Sequence, residues 1–540
     1  MGKININARL VWFAWWALAI IVFALVSSIR IRLLGIPLER DEGEYAYAGQ
    51  LMLQGIPPYK LAYNMKFPGT YAGYALIMSM FGQTIHGIHL GLLLINAATI
   101  ALIFLIGRRL VDWLAGITAA TCYAILSVSP SVLGLAAHAT NFVMLPVLAG
   151  ILLILDSRES QQHAVTRLCV SGLLLGVGLL MKQPAFLFVA FGVSYVVWKD
   201  GQARRPFKQI VVRVLAFGIG SVLPMAITSL ILWQAGVIDK FWFWTINYAW
   251  QYGSIVQLSQ APRLFFESAN EVIGPNWGIW ALAGIGLAAG LCHRVTRASM
   301  TFLITFFLFS ALALCVGFYF RYHYFIFILP AVSLLAGSGL SLFGGLFAGR
   351  MIFLRLVPLL VFAAALSLPI LSQRKVFFET SPIDACRMIY PDSPFPESIK
   401  IADYIREHST PDDTIAVLGS EPQIYFYSKR HSATGYIYTY PLMEPQKYAQ
   451  QMQEEMIREI ERARPRYLVS VLMNDSWLYR PRSDQRLFTW ANQYTAANYT
   501  VAGFVNIRPM ETDYFFGDVP ESVESLKNYI LIYASKPWAP

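Results

Sequence analysis

The chain has 540 residues, of which 56% are apolar and 14% charged, whereas soluble domains carry roughly 25% charged residues. This composition excludes an ordinary soluble protein, and the length exceeds what one hydrophobic core holds, so at least two domains are expected. The net charge of +10 is unevenly divided: residues 1–371 carry 24 Lys and Arg against 11 Asp and Glu, and residues 372–540 carry the remaining 18 against 21.

The positive charge and the cysteines exclude two further classes of protein. The excess Lys and Arg lie between apolar runs and not on one continuous basic face, which argues against a nucleic-acid-binding protein. Of the five cysteines, only Cys386 lies in the polar part of the chain. Cysteines distributed in this way do not indicate a disulfide-stabilised scaffold.

Eleven apolar runs are long enough, or nearly long enough, to cross the roughly 30 Å core of a bilayer as helices. They are centred on residues 10–28, 88–107, 113–132, 142–155, 168–181, 184–198, 210–235, 276–292, 300–318, 324–347 and 351–371. No small-residue cleavage site follows the first run, so we interpret it as a retained anchor and not as a removed signal peptide.

The basic residues of the short loops predict the orientation of these helices. With the N-terminus in the cytoplasm, the cytoplasmic loops contain most of the basic residues, among them Arg108, Arg109, Lys199, Arg204, Arg205 and Lys208. A spanning segment at 69–86 would reverse every later loop and face these residues outward. We therefore expect 69–86 to be a juxtamembrane or re-entrant segment on the outer side.

The sequence thus predicts a polytopic α-helical membrane protein of about eleven spanning helices with a C-terminal soluble α/β domain. The membrane domain occupies residues 1–371 and has outer segments at 29–87, 133–141 and 236–275. Residues 372–396 form a linker, and residues 397–540 form a domain on the extracytoplasmic side. The expected location is the inner membrane of a bacterium, crossed many times.

The C-terminal domain alternates strand-like and helix-like patterns, which favours a small α/β layer. Four apolar runs are typical of strands, at 413–419, 466–473, 499–507 and 528–534. A strong helix is predicted at 444–463, with Glu454 and Arg458 paired one turn apart and Pro465 ending it. No Gly-rich phosphate-binding motif follows the early strands, so a nucleotide site is not predicted.

The densest polar cluster of the membrane part follows the first apolar run. Glu39, Asp41, Glu42 and Glu44 fall within six residues of one another. Such close acids repel, which favours a retained proton or a bound cation in the cluster. The alternative is a solvated helix start, where acidic residues are favoured by the helix dipole.

The same loop carries a motif that resembles a known family. Its residues read Asp-Glu-Gly-x-Tyr-Ala from Asp41, then Leu-x-Gly-x-Pro-Pro-Tyr, then Lys-x-Pro from Lys66. The agreement extends to Gly-Arg-Arg-Leu at 107–110 and to an Arg-Tyr pair followed by Pro at 321–330. The chain resembles the C-type glycosyltransferases that use polyprenyl-phosphate sugars, especially the bacterial relatives of protein O-mannosyltransferases and of the lipid A aminoarabinose transferase.

The resemblance implies a role for the acids of the first outer loop. It assigns Asp41, with Glu42 as the second candidate, to the activation of the acceptor. A carboxylate next to a neutral hydroxyl can accept its proton as the new bond forms, and such catalysis contributes roughly 10²–10⁴-fold.

The leaving group would be a lipid phosphate, whose developing charge needs cations or hydrogen-bond donors. We expect Lys66, Arg321 and His323 to supply them, because all three fall on the predicted outer side. Arg321 has a planar fork that matches phosphate, although a long basic side chain near a membrane surface also reaches outward without any ligand.

The chain departs from the family pattern at two places. The second outer turn contains His138 and Asn141 where the family usually has an acid, and Met65 replaces the acid that commonly precedes the Lys-x-Pro lysine. His138, Asn141 and Tyr322 are candidates for binding acceptor or sugar; a buried histidine and a helix-capping asparagine are the alternative. Because the histidines are scattered along the sequence, we assign no metal site and no cofactor, although a requirement for a divalent cation stays open.

The leading hypothesis is an inverting glycosyltransferase that moves a monosaccharide from a polyprenyl-phosphate carrier to an acceptor at the outer face of the inner membrane. Its partners are the carrier, membrane lipids and an acceptor that is a lipid, a glycan or a protein. One alternative is a transporter or flippase of lipid-linked sugars, but no acid lies in the middle of an apolar run, as transport pathways usually require. Another is a polysaccharide polymerase or ligase that uses pyrophosphate-linked donors.

Overall fold

The computed structural model describes residues 6–156, 163–292, 297–347, 349–508, 511–517 and 527–537, and most of them are helical. The first nine helices are α1 (Ile6–Arg32), α2 (Arg40–Leu53), α3 (Gly69–Phe81), α4 (Ile85–Leu110), α5 (Trp113–Val128), α6 (Ala139–Asp156), α7 (Ala164–Met181), α8 (Phe186–Gln202) and α9 (Phe207–Gln234). The next eight are α10 (Ile238–Trp242), α11 (Ala249–Gly253), α12 (Ala261–Ile273), α13 (Trp277–Cys292), α14 (Arg297–Cys315), α15 (Leu329–Gly345), α16 (Ile352–Arg355) and α17 (Val357–Ser372).

Within its described residues, the C-terminal part adds seven helices and six strands. The helices are α18 (Pro382–Ile389), α19 (Phe395–Glu407), α20 (Gln423–Ser428), α21 (Tyr440–Met443), α22 (Ala449–Ala463), α23 (Asn474–Trp477) and α24 (Arg486–Asn498). The strands are β1 (Thr414–Leu418), β2 (His431–Ser432), β3 (Tyr467–Leu472), β4 (Tyr499–Ile507), β5 (Thr512–Phe516) and β6 (Tyr529–Ser535).

Each of the eleven predicted apolar runs coincides with a helix, namely α1, α4 to α9, α13 to α15 and α17. Within the described residues, seven segments are long and apolar enough to cross a membrane, and α5, α6 and α15 are shorter apolar helices. The predicted fold class, a polytopic helical membrane protein with a C-terminal α/β domain, is therefore confirmed.

The segment that was expected not to span, 69–86, contains the short helix α3. Its 13 residues rise only about 20 Å at 1.5 Å per residue, which is less than the roughly 30 Å of a bilayer core. The length of α3 therefore supports the expected juxtamembrane or re-entrant placement.

The described contacts divide the chain into two compact units. The helical unit consists of Met1–Leu34, His89–Thr228 and Val256–Thr380, and the sheet unit of Gly35–Ile88, Ser229–Ile255 and Ser381–Pro540. Most of the first predicted outer loop and part of the third thus belong to the same unit as the C-terminal domain. The predicted domain boundaries were drawn from the composition of the chain. Composition does not show that these outer segments pack with the C-terminal domain.

Small residues let the helices of the helical unit approach closely. A side chain at Gly172 of α7 would place its Cβ 2.0 Å from the carbonyl oxygen of Phe217 in α9. At Gly286 of α13, the Cβ would lie 2.1 Å from the carbonyl oxygen of Leu335 in α15. Small residues at the contacts between helices are typical of helices that pack within lipid, where burial of apolar surface gives little driving force.

The sheet unit is built on a mixed sheet of strand order β2-β1-β3-β6-β4-β5. β1 is parallel to β2 and β3, with Val417 opposite Val469, while β3–β6, β6–β4 and β4–β5 are antiparallel. β1 and β3 are buried on both faces over most of their length, as their apolar sequences indicate. The four predicted strands are confirmed as β1, β3, β4 and β6.

One predicted contact in this unit is wrong. The helix expected at 444–463 is present as α22, but Glu454 pairs with Arg486 at the start of α24 instead of with Arg458 one turn along. An exposed pair within one helix is worth only about 0.2–0.5 kcal/mol, so a guanidinium supplied by a neighbouring helix readily replaces it.

Candidate active site

The acidic cluster forms the start of α2. Glu39 is the residue that caps the helix: its carboxylate accepts a hydrogen bond from the backbone N–H of Glu42 at 2.8 Å, and the Glu42 carboxylate accepts one from the backbone N–H of Glu39 at 3.3 Å. This reciprocal pair is a capping box. The acids therefore open a helix, as one of the two interpretations expected, but the start is not solvated, because Glu39, Glu42 and Glu44 are buried.

Lys66 joins two of the acids in one ionic network. Its Nζ donates to Asp41 Oδ1 and to Glu44 Oε2, each at 2.7 Å. Asp41 and Glu44 are three residues apart on α2 and so project from the same side of the helix. The side chains of Asp41 and Lys66 keep 18% and 17% of their surface exposed, against 1% for Glu44, so Asp41 is the more accessible of the two carboxylates.

The buried carboxylate of Glu44 is held from three directions. Asn64 Nδ2 donates to Glu44 Oε2 at 2.7 Å, and the hydroxyl of Tyr71 donates to Oε1 at 2.6 Å. Tyr59 donates to the backbone carbonyl of Lys66 at 2.7 Å and so fixes the loop that carries the lysine. A buried charge that is paired and fully hydrogen-bonded in this way is stable, whereas an unpaired one is costly.

The environment shifts the pKa values of Glu39, Glu44 and Lys66. Burial, reinforced by the neighbouring carboxylates of Asp41 and Glu42, raises the pKa of Glu39 well above its ordinary value. Burial also raises the pKa of Glu44, against the opposing effect of Lys66. Burial lowers the pKa of Lys66, but Asp41 and Glu44 outweigh it and raise that pKa well above its ordinary value, so the lysine stays protonated at neutral pH.

Aromatic rings enclose the ammonium of Lys66. Its Nζ lies 4.6 Å from the centre of the Tyr45 ring and 5.4 Å from that of Tyr438, distances at which a cation and a ring attract. The Tyr438 hydroxyl also donates a long hydrogen bond of 3.4 Å to Asp41 Oδ1. Tyr438 comes from the C-terminal domain, which thus contributes directly to the surroundings of Asp41.

A second ion pair anchors the start of α2 to the C-terminal domain. Arg40 donates through Nε to the carbonyl of Ser420 at 2.7 Å and pairs with the buried carboxylate of Glu421 at 3.2 Å. Its guanidinium lies over the rings of Phe395 and Tyr440. Because Arg40 precedes Asp41, this anchor also fixes the position of the candidate catalytic acid.

The helical unit contains a separate group of predicted site residues. His138 precedes α6 and His323 lies in a 3-10 turn at Tyr322–Phe327. Both are buried, and their rings are stacked with centres 4.1 Å apart and planes inclined by 13°. These histidines are far apart in the sequence and were interpreted as scattered, but the fold places their rings in contact. Their proposed roles in binding stay a prediction.

Arg321 and Tyr322 are exposed next to His323. The Arg321 guanidinium lies 5.7 Å from the centre of the Tyr319 ring, and Phe318 and Phe320 adopt left-handed backbone conformations just before it. Such conformations are unfavourable for residues with side chains and often occur at functional sites. This tight turn presents the arginine at the surface of its unit.

The alternative interpretation expected Asn141 to cap α6, and this is wrong. Asn141 is the third residue of the helix, which begins at Ala139. Its side-chain nitrogen instead donates back to the carbonyl of Ala136 at 3.3 Å. Within the described chain, the side-chain oxygen of this buried asparagine accepts no hydrogen bond. A ligand hydroxyl could fill that position.

The structure therefore brings Asp41 and Lys66 into direct contact within the sheet unit, and His138 and His323 within the helical unit. Asn64 and Tyr71 were not predicted, although polar side chains in a short apolar segment are a signal that could have found them. No local pattern could have predicted the roles of Arg40 and Tyr438, because their partners are distant in the chain. Arg40 and Ser420 are 380 residues apart, and Tyr438 and Asp41 are 397 residues apart.

Residues 68–233 match the family model described as dolichyl-phosphate-mannose-protein mannosyltransferase. No curated protein matches the sequence.

Solved structures share the fold over nearly the whole chain. ArnT from Cupriavidus metallidurans bound to undecaprenyl phosphate is 15% identical, with a TM-score of 0.56 and 98% of each chain covered. The apo state of the same protein gives a TM-score of 0.54. The archaeal oligosaccharyltransferase AglB from Archaeoglobus fulgidus, in complex with an inhibitory peptide and a dolichol-phosphate, is 12% identical, with a TM-score of 0.52; the match covers 94% of this chain and 75% of that one.

These matches confirm the resemblance that the acidic loop and its Lys-x-Pro motif predicted. The chain has a fold like that of the C-type membrane glycosyltransferases ArnT and AglB, and its residues 68–233 are similar to the protein mannosyltransferases.

Proposed function

We propose that this protein is an integral membrane glycosyltransferase that moves a monosaccharide from a polyprenyl-phosphate carrier to an acceptor at the outer face of the inner membrane. The observation that supports this proposal most is the environment of the Asp41 carboxylate, which is partly exposed and lies 2.7 Å from the Lys66 ammonium. Asp41 is also the residue to which the family resemblance assigns the activation of the acceptor. The fold match to a protein bound to undecaprenyl phosphate supports the class of donor.

Asp41 is the better candidate for the base. Glu42 is almost fully buried and its carboxylate is engaged in the capping box, so its contribution is to hold the start of α2. Asp41 keeps part of its surface accessible while Lys66 fixes its orientation. A base must reach the proton that it removes at hydrogen-bond distance, and Asp41 meets that requirement better than the other acids of the loop.

The contacts of Lys66 refine its predicted role. Two carboxylates share its ammonium, so we assign it first to the positioning of Asp41 and only secondarily to the donor phosphate. Arg321 and His323 are then the main candidates for phosphate binding. A guanidinium matches a phosphate group with two parallel hydrogen bonds, which stabilises the charge that develops on the leaving group.

Tyr322, His138 and Asn141 are the candidates for contacts to the sugar or the acceptor. Direct attack of one activated hydroxyl on the anomeric carbon, with the lipid phosphate leaving from the opposite side, inverts the configuration at that carbon.

The test compares donors in the purified full-length protein. We would supply polyprenyl-monophosphate and polyprenyl-pyrophosphate sugars with an isotopic label in the sugar, together with an envelope extract as the source of acceptor. We expect label in a new product and release of polyprenyl phosphate from the monophosphate donor only. Transfer from the pyrophosphate donor alone would indicate a polymerase or ligase, and movement of intact donor across vesicles without transfer would indicate a flippase; either result overturns the proposal.

A further inference from the structure

The segment that follows α9 presents an aromatic, uncharged face to the outside of the sheet unit. Its helical backbone runs through α10, a π-helical turn at Phe243–Tyr248 and α11. Trp242, Ile246 and Trp250 are 57%, 43% and 77% exposed, and their spacing of four residues places them on one side of the helical segment. The sequence has no Asp, Glu, Lys or Arg from 241 to 255.

The opposite face of the same segment packs against the sheet unit. The Phe241 ring lies 5.5 Å from that of Tyr59, centre to centre, and the Trp244 ring is stacked on that of Tyr63 at 5.9 Å. Both tyrosines belong to the loop that carries Lys66. The inner face is therefore occupied by protein, whereas the tryptophans of the outer face are open to a partner of another kind.

The helix α3 repeats this pattern in the same unit. Its inner residues Tyr71 and Tyr74 bring their rings against that of Tyr45 in α2. Leu76 and Met80 point the other way and are 62% and 66% exposed, and α3 contains no charged residue. Exposed apolar patches of this kind mark sites of contact with a protein or a membrane.

The end of α9 indicates which of the two partners covers these faces. α9 is long and apolar enough to cross a membrane, and its last turns, including the 63% exposed Trp233, belong to the sheet unit. The connection from Gln234 to Ile238 reaches at most about 14 Å, so α10 begins close to the end of that span. Tryptophan is enriched where a membrane meets water, which favours lipid as the partner.

We propose that Trp242, Ile246 and Trp250, together with Leu76 and Met80, form a membrane-binding face by which the sheet unit lies on the lipid surface. These side chains would enter the boundary between head groups and acyl chains, as the apolar sides of interfacial helices do. Through the inner face, this contact would also hold the loop of Lys66 near the surface to which a lipid-borne donor comes, a consequence that rests on the proposed function.

The test is photochemical crosslinking of the full-length protein in vesicles of phosphatidylethanolamine and phosphatidylglycerol. The photoreactive amino acid p-benzoylphenylalanine would stand in place of Trp250, of Met80 or of Glu407. Glu407 is the control: it is exposed at the end of α19 and precedes the N-terminal end of β1, whereas the other end of β1 leads to Ser420, the partner of Arg40. After illumination, mass spectrometry of the digested protein counts lipid adducts. We expect them at 250 and 80 and none at 407.

The substituted side chains are exposed, so the replacements leave the packing of the unit intact, and positions 250 and 80 test the face independently. Equal yields of lipid adduct at 250 and 407 would overturn the proposal, as would crosslinks between two copies of the chain at 250 in place of lipid adducts. The count does not depend on activity. Lipid adducts at 250 and 80 in a protein that transfers no sugar would support the membrane-binding face and contradict only the proposed function.

Discussion

Lys66 is the residue on which the geometry of the acidic loop depends. It sits between Asp41 and Glu44, each 2.7 Å away, in surroundings where an unpaired charge is expensive. Removing one partner of a buried ion pair costs about 3–5 kcal/mol, mainly because the other charge stays behind uncompensated. The partial exposure of Asp41 and Lys66 places this network at the lower end of that range.

Lys66→Met is therefore expected to lower the free energy of unfolding by about 3 kcal/mol. Lys60→Met is the matched control, because Lys60 is an exposed lysine of the same loop. Thermal unfolding of the two variants in the same detergent measures the difference. If they unfold together, the Lys66 network does not contribute to the stability of the sheet unit.

The pKa of Glu39 gives a second prediction, about pH. Burial raises it above the ordinary value of 4.5, so its contribution to folding stability is complete below that value and is lost as the pH rises through the higher pKa of the folded state. Glu39→Gln keeps the acceptor for the helix cap but cannot ionise. We expect its unfolding temperature to fall less than that of the wild type as the pH rises above 4.5. Parallel pH profiles would contradict a buried, titrating Glu39.

At the scale of elements, α2 is positioned by the C-terminal domain. Besides the Arg40–Glu421 pair, the hydroxyl of Tyr47 accepts from the backbone N–H of Ser432 at 2.7 Å. The backbone of α2 also approaches α20 so closely that a Cβ on Gly43 would lie 2.6 Å from the backbone nitrogen of Gln423. Main-chain atoms cannot move aside as a flexible side chain can, so this contact requires glycine.

Gly43→Ala is expected to destabilise the protein by about 1–3 kcal/mol, the usual cost of overpacking, and to lower the turnover of sugar transfer by shifting Asp41. Gly253→Ala is the control, since a Cβ there meets nothing within 4 Å. Unfolding temperature and kcat would be measured for both variants. Wild-type turnover in Gly43→Ala would mean that the C-terminal domain does not position the acid.

The helices and strands also show which structural features can be predicted from a sequence. Apolar runs identify the eleven helices, because a membrane requires length and hydrophobicity of the segment itself. β2 was not predicted because it has only two residues, and β5 was not predicted because it has only five residues, begins with Thr-Asp and is only partly buried. The capping box follows from the local spacing of Glu39 and Glu42.

At the scale of the whole molecule, the composition separates an apolar, basic part from an acidic tail, whereas the compact units cross that boundary. The sheet unit includes 35–88 and 229–255 together with the C-terminal domain. Contacts such as Tyr438 with Asp41 depend on how distant segments pack, and no local pattern encodes them. The sequence therefore identifies the acid and the lysine of the candidate site, while their supporting residues come only from the fold.

The rate of sugar transfer in Asp41→Asn, measured with a labelled polyprenyl-monophosphate sugar, tests the central claim most directly. Asparagine keeps the shape of the side chain but is a poor base, and Glu44 still compensates Lys66, so the variant should fold. Asp403→Asn, a change at a partly exposed acid of α19 that pairs with Arg406, is the control. We expect a rate about 10²–10⁴-fold below that of the control; transfer by Asp41→Asn at the rate of the control would contradict the role of this carboxylate.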